Sequence, residues 1–119
     1  MWTKGRQNSG YLKFTFFQCK YFDCHLLKYP EESEIKEHVD EVDGRNHYRI
    51  NIILQHANMG GEFKCEKTIL NWPRLKIFRP DLYKHSLSKI EDGCRYVLSI
   101  GFTTSKNKQI KTVSVVGEK

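Results

Sequence analysis

The chain has no apolar run approaching the ~20 residues that cross a bilayer as a helix, which excludes a spanning segment of that kind. Residues 1–10 also lack a leader's order of a basic stretch, an apolar stretch and small residues, and carry Lys4, Arg6, Gln7 and Asn8 instead. The expectation is a cytoplasmic protein with no membrane partner. Cysteine offers little: Cys19, Cys24, Cys65 and Cys94 have no second short-spaced pair, which argues against structural zinc even with His25 beside Cys24. In a chain expected to be cytoplasmic, these four read as reduced thiols and not as a disulfide framework. Internal repeats, low-complexity tracts and linkers are missing as well. At 119 residues, one domain with one core is expected over 1–119, with no room for a second.

Charge of one sign is present in excess without being concentrated. The formal net charge is +6, yet the basic residues run from Lys4 to Lys119 and alternate with acids; only Lys106, Lys108 and Lys111 form a loose group. Such a balance permits an acidic partner such as nucleic acid, but a solvated tail explains those three lysines equally well.

The chain is rich in strand signals. Residues 11–17 and 21–29 are aromatic and partly alternating, and 49–55 hold four aliphatic residues, three of them Ile. Further short segments follow at 75–78, 85–90, 95–102 and 110–116, broken by Gly, Pro, Asn and Asp. Many short strands with such turns predict an all-β barrel or jelly roll. The only segment with helical-turn or loop character is Glu31 to Glu37, which is acidic and lacks a useful apolar face, so at most one short helix is expected. Gly60-Gly61 reads as a turn that returns the chain to the next strand.

Chemistry is concentrated in one constellation. His38 and Asp40 are two apart, and in an extended segment both point to one face and reach a single ion. His85 as a third ligand completes a 2-His-1-carboxylate triad, which leaves open positions on octahedral Fe(II). Arg95, ten residues beyond His85, supplies a forked cation for a carboxylate. The histidines His25, His47 and His56 have no partner at ligand spacing and read as surface or core residues.

The ordered series Tyr29 to Asp40, Tyr48 to Leu54, Gly60 to Phe63, Leu75 to Asp81 and His85 to Phe102 resembles the 2-oxoglutarate- and Fe(II)-dependent dioxygenases, most nearly the prolyl-4-hydroxylase-like branch. The resemblance implies a double-stranded β-helix (cupin-like jelly roll) and a cytoplasmic oxidoreductase that hydroxylates a C–H bond. It implies Fe(II) on His38, Asp40 and His85, with 2-oxoglutarate as co-substrate, dioxygen as oxidant and ascorbate as an accessory reductant. Arg95 would meet the distal carboxylate of 2-oxoglutarate, where many prolyl hydroxylases use Lys. Tyr29 would hydrogen-bond the same co-substrate. Asp40 stands where related halogenases have a small residue, so hydroxylation is the implied outcome. A peptidyl side chain such as proline is the favoured substrate. The alternatives are a nucleobase hydroxylase or demethylase, a cupin-like metal protein that does not use 2-oxoglutarate, and a non-catalytic β-sandwich binding module.

Two geometric conditions follow. A tight hairpin at Asp92-Gly93 would place His85 and Arg95 on opposite sides of one sheet; they share a site only if that turn is irregular or their strands belong to facing sheets. Along 49–55, Ile50, Ile52 and Leu54 form one face and Arg49, Asn51, Ile53 and Gln55 the other. The polar face is either exposed or looks into the barrel mouth, where Asn51 would bind the co-substrate and Arg49 the substrate.

Overall fold

The computed structural model describes residues 2–5, 9–40 and 44–105. Its strands are β1 (Trp2–Lys4), β2 (Leu12–Gln18), β3 (Phe22–Tyr29), β4 (Ile35–His38), β5 (Arg45–Gln55), β6 (Met59–Gly60), β7 (Phe63–Cys65), β8 (Leu70–Trp72), β9 (Leu75–Phe78), β10 (His85–Leu87), β11 (Ile90–Asp92) and β12 (Arg95–Ser105). The architecture is all-β. The short helical element admitted over 31–37 does not form: a turn at Glu31 and Glu32 leads directly into β4, and Glu32 takes a φ of 75°. With no apolar stripe to bury, a helix there would gain nothing from packing. The predicted strand at 110–116 and the Lys106, Lys108 and Lys111 group lie outside the described residues.

Strands β1-β2-β3-β12-β5-β9-β8 form a seven-stranded sheet, β4-β10-β7 a three-stranded sheet, and β11-β6 a two-stranded ribbon. The long antiparallel partners β3, β12 and β5 form the centre of the large sheet. In β12 the alternation is clean: Arg95, Val97, Ser99 and Gly101 are buried, while Tyr96, Leu98, Ile100 and Phe102 are half-buried on the other face. Between the sheets lie Leu27, Tyr29, Ile53, Leu87, Ile90 and Val97, with Tyr11, Ile35, Ala57 and Phe63 packed against them. Burial of such apolar side chains is the main favourable term holding the layers together.

The segment expected as one strand over 85–90 is two. After β10 the chain turns away, and β11 pairs with β6 instead of forming a hairpin with β12. His85 therefore sits in the three-stranded sheet and Arg95 in the seven-stranded one. Of the two arrangements that let them share a site, the fold adopts the facing sheets. Gly60 and Gly61 make the crossing possible. Both have positive φ (79° and 73°), and a Cβ on Gly60 would stand 2.1 Å from the Lys89 carbonyl oxygen.

Candidate metal centre and its cavity

His38 closes β4 and His85 opens β10, and the antiparallel register sets the two directly opposite each other. Their rings are 4.3 Å apart between centroids. Asp40 follows two residues on, held by its own N–H, which donates to the Pro80 carbonyl at 2.7 Å. His38 Nδ1 bonds the Lys36 carbonyl at 2.8 Å, and His85 Nδ1 bonds the Tyr83 carbonyl at 3.0 Å. A carbonyl only accepts, so both Nδ1 atoms carry hydrogen and both Nε2 atoms are left as the ligating nitrogens. These Nε2 atoms lie 3.3 and 3.4 Å from the two oxygens of Asp40. One ligand atom from each residue falls within 4.8 Å of the others, the one such group among the described residues.

Two ring nitrogens converge with a carboxylate on one point between β4 and β10. The donor set therefore fits a divalent metal. Two nitrogens and a carboxylate suit Fe(II) and its neighbours in the first transition row, and three protein ligands leave coordination positions open. Phe78, with its ring 5.4 Å from that of His85, backs the site with apolar surface.

A cavity of about 360 Å³ joins this centre to the inner face of the large sheet; Tyr29, Arg49, Asn51 and Arg95 line it together with His38, Asp40 and His85. Every candidate site residue of the sequence thus borders one space. Arg95 is 5% exposed, and its Nη1 donates to the Gly61 carbonyl at 3.3 Å. Its Nε is buried with no partner, and no carboxylate pairs with it among the described residues. Burial pushes its pKa down, and the neighbouring Tyr29 acts in the opposite direction. Tyr29 is opposite Arg95 in the β3–β12 register, and burial pushes its phenol pKa up. A buried guanidinium without a carboxylate partner among the described residues, beside a protonated phenol, can take up a carboxylate.

Asn51 and Arg49 face inward, so the polar side of β5 is the cavity side and not an exposed outer face. Both already have protein partners. Ser99 Oγ donates to Asn51 Oδ1 at 2.6 Å, and Arg49 Nη1 donates to Ser99 Oγ at 2.7 Å. Arg49 Nη2 reaches both oxygens of Asp23, at 3.0 and 2.9 Å. Asp23, His25, His47, Ser99 and Gly101 were not read as site residues from the sequence. Asp23 and His25 continue inward from Tyr29 at period two along β3, a signal that becomes legible once Tyr29 is known to face the cavity. His25 and His47 line the same cavity, and burial lowers the pKa of each. His56 is exposed.

No family model and no curated protein matches the chain. Among solved structures it is similar to the Cnp3 cupin domain of Schizosaccharomyces pombe, at 13% identity and a TM-score of 0.63 over 87% of this chain and 69% of that one. It is also similar to a cupin 2 conserved barrel domain protein from Rhodopseudomonas palustris, at 13% identity and a TM-score of 0.56 over 90% of this chain and 72% of that one. The protein TT1209 from Thermus thermophilus matches at 15% identity and a TM-score of 0.58, over 81% of this chain and 86% of that one. These likenesses show a cupin-like jelly-roll fold, which serves enzymes and non-enzymes alike.

Proposed function

We propose that this protein is an Fe(II)- and 2-oxoglutarate-dependent dioxygenase that hydroxylates a C–H bond of a peptidyl side chain such as proline. The observation that carries the reading is the pairing of two sites in one cavity: a His-Asp-His cluster within 4.8 Å, and a buried Arg95 lacking a carboxylate partner among the described residues. An anionic co-substrate gives the second a function beside the first.

In this reading His38, Asp40 and His85 hold the metal, each imidazole kept in one tautomer by its carbonyl acceptor. When bound, Fe(II) with 2-oxoglutarate and dioxygen supplies oxidative decarboxylation and the oxidising power for C–H hydroxylation. Arg95 holds the distal carboxylate of the co-substrate, with the Tyr29 hydroxyl donating to the same group. Leu27 and Val97 line the cavity beside them and keep water from the guanidinium, which strengthens its attraction for an anion. Asn51 orients the co-substrate from the wall of β5, and Arg49 meets the substrate.

The test is succinate formation from 2-oxoglutarate by protein purified without oxygen and reconstituted with Fe(II), beside Asp40→Ala. Oxygen-dependent succinate that falls to background in the variant is the expected result. A wild type that binds neither Fe(II) nor 2-oxoglutarate would return the protein to the non-catalytic binding modules. The nucleobase alternative draws on the net charge of +6 and requires salt-sensitive binding of nucleic acid.

A further inference from the structure

We infer that the Asp23–Arg49 pair laid across Gly101 is a second binding site in the same cavity, and that it takes the main-chain amide adjoining the substrate side chain. The inference rests on the dioxygenase reading and adds to it the group by which the substrate is held. Gly101 lies between Asp23 and Arg49 in the registers of β12 with β3 and β5. A Cβ there would stand 2.1 Å from Arg49 Nη2 and 3.0 Å from Asp23 Oδ2. The absent side chain is thus what lets the pair cross the inner face of the sheet. From Arg95 to Gly101 the wall runs for about 20 Å at the rise of a β-strand, and the Arg49 guanidinium reaches back along it to Ser99.

The pair is braced on both sides. Ser99 accepts from Arg49, and His25 Nε2 lies 3.4 Å from Asp23 while its Nδ1 contacts Thr15 Oγ1 at 2.9 Å. Neither member is sealed off: the side chains are 22% and 18% exposed, and both line the cavity shared with the metal triad. A half-buried ion pair contributes little to stability, and apolar side chains of similar volume would fill the wall as well. Its use therefore lies in what it presents. The guanidinium has more N–H donors than its contacts with Ser99, Asp23 and His47 consume, and the carboxylate keeps accepting capacity beside them. An adjacent donor and acceptor match the C=O and N–H of an amide. A ligand bearing a single charge must instead compete with a partner already at 2.9 Å.

The test uses protein loaded with Mn(II) and 2-oxoglutarate, and reads paramagnetic broadening of ligand protons. The probes are N-acetyl amino-acid amides, the matching free amino acids, and methylated nucleosides. At least one blocked amide is expected to broaden, and Asp23→Asn and Arg49→Met are each expected to weaken it about tenfold or more. Gly101→Ala keeps both charges but displaces Arg49, and should do the same. Circular dichroism and Mn(II) titration identify any variant that has lost its fold, leaving the others to decide. Equal binding by wild type and folded variants would overturn the inference, as would broadening of only free amino acids or only nucleosides. No broadening in a wild type that does bind Mn(II) and 2-oxoglutarate would overturn it and leave the dioxygenase reading standing. A wild type that binds neither would remove both.

Discussion

Replacing Arg95 with Met separates binding from stability, because the two respond in opposite directions. The guanidinium is 5% exposed, has one long bond to the Gly61 carbonyl, and leaves Nε buried without a partner. A buried polar group left unsatisfied costs about 1–3 kcal/mol, and the long Gly61 bond returns about 1 kcal/mol. Methionine keeps the apolar stem and discards the charge, so the metal-free protein should be unchanged or more stable by up to about 2 kcal/mol. With about 4 °C per kcal/mol for a domain of this size, the thermal midpoint should not fall and should rise by up to about 8 °C. Losing one partner of a buried charge pair costs about 3–5 kcal/mol, so Kd for 2-oxoglutarate should increase by a factor of about 10² to 4 × 10³. Thermal unfolding followed by circular dichroism gives the first quantity, and calorimetric titration of the Mn(II)-loaded protein gives the second. A midpoint that drops by several degrees, with 2-oxoglutarate affinity intact, would show that Arg95 is a structural residue and refute the reasoning.

Ile90→Ala tests the seam between ribbon and barrel: Ile90 is fully buried, so its truncation should cost about 2–5 kcal/mol in a denaturant titration. A loss below about 1 kcal/mol would mean the site collapses freely and is not part of a close-packed core. The buried histidines predict a pH dependence. Burial lowers the pKa of His25 and His47 in the folded state below the ordinary 6.5, so the unfolded chain takes up protons first as pH falls. Their contribution is therefore complete above 6.5 and declines below it. Metal-free protein should lose stability between pH 7 and 5, less steeply in His47→Gln, and a flat wild-type profile would contradict the assignment.

Much of the fold is legible in side-chain order because a strand exposes alternate residues to opposite environments. In β12 the polar or small Arg95, Ser99 and Gly101 alternate with Tyr96, Leu98 and Ile100, and in β5 Arg49 and Asn51 alternate with Ile50 and Ile52. Such periodicity depends on neighbours one or two residues away and survives without knowledge of the partner strand. His38 and Asp40 are legible for the same reason, since a spacing of two places them on one face. The acidic run 31–37 was less legible: neither a helical nor a strand period is present, and its path follows from a backbone turn at Glu32 and from the pairing of β4 with β10.

The Asp23–Arg49 crossing was not legible, because a glycine at position 101 has meaning only once β3 and β5 are known to flank β12. Local spacing along the chain was enough for the all-β class, for the division of the long strands into two faces and for the placing of His38 and Asp40 on one face. Tertiary structure alone decided that His85 and Arg95 share a cavity, because the 85–95 segment breaks between sheets instead of closing a hairpin. It also decided that Arg95 is buried without a carboxylate partner among the described residues, and that Asp23 meets Arg49. These are relations between strands distant in sequence, and registers set by packing bring them together.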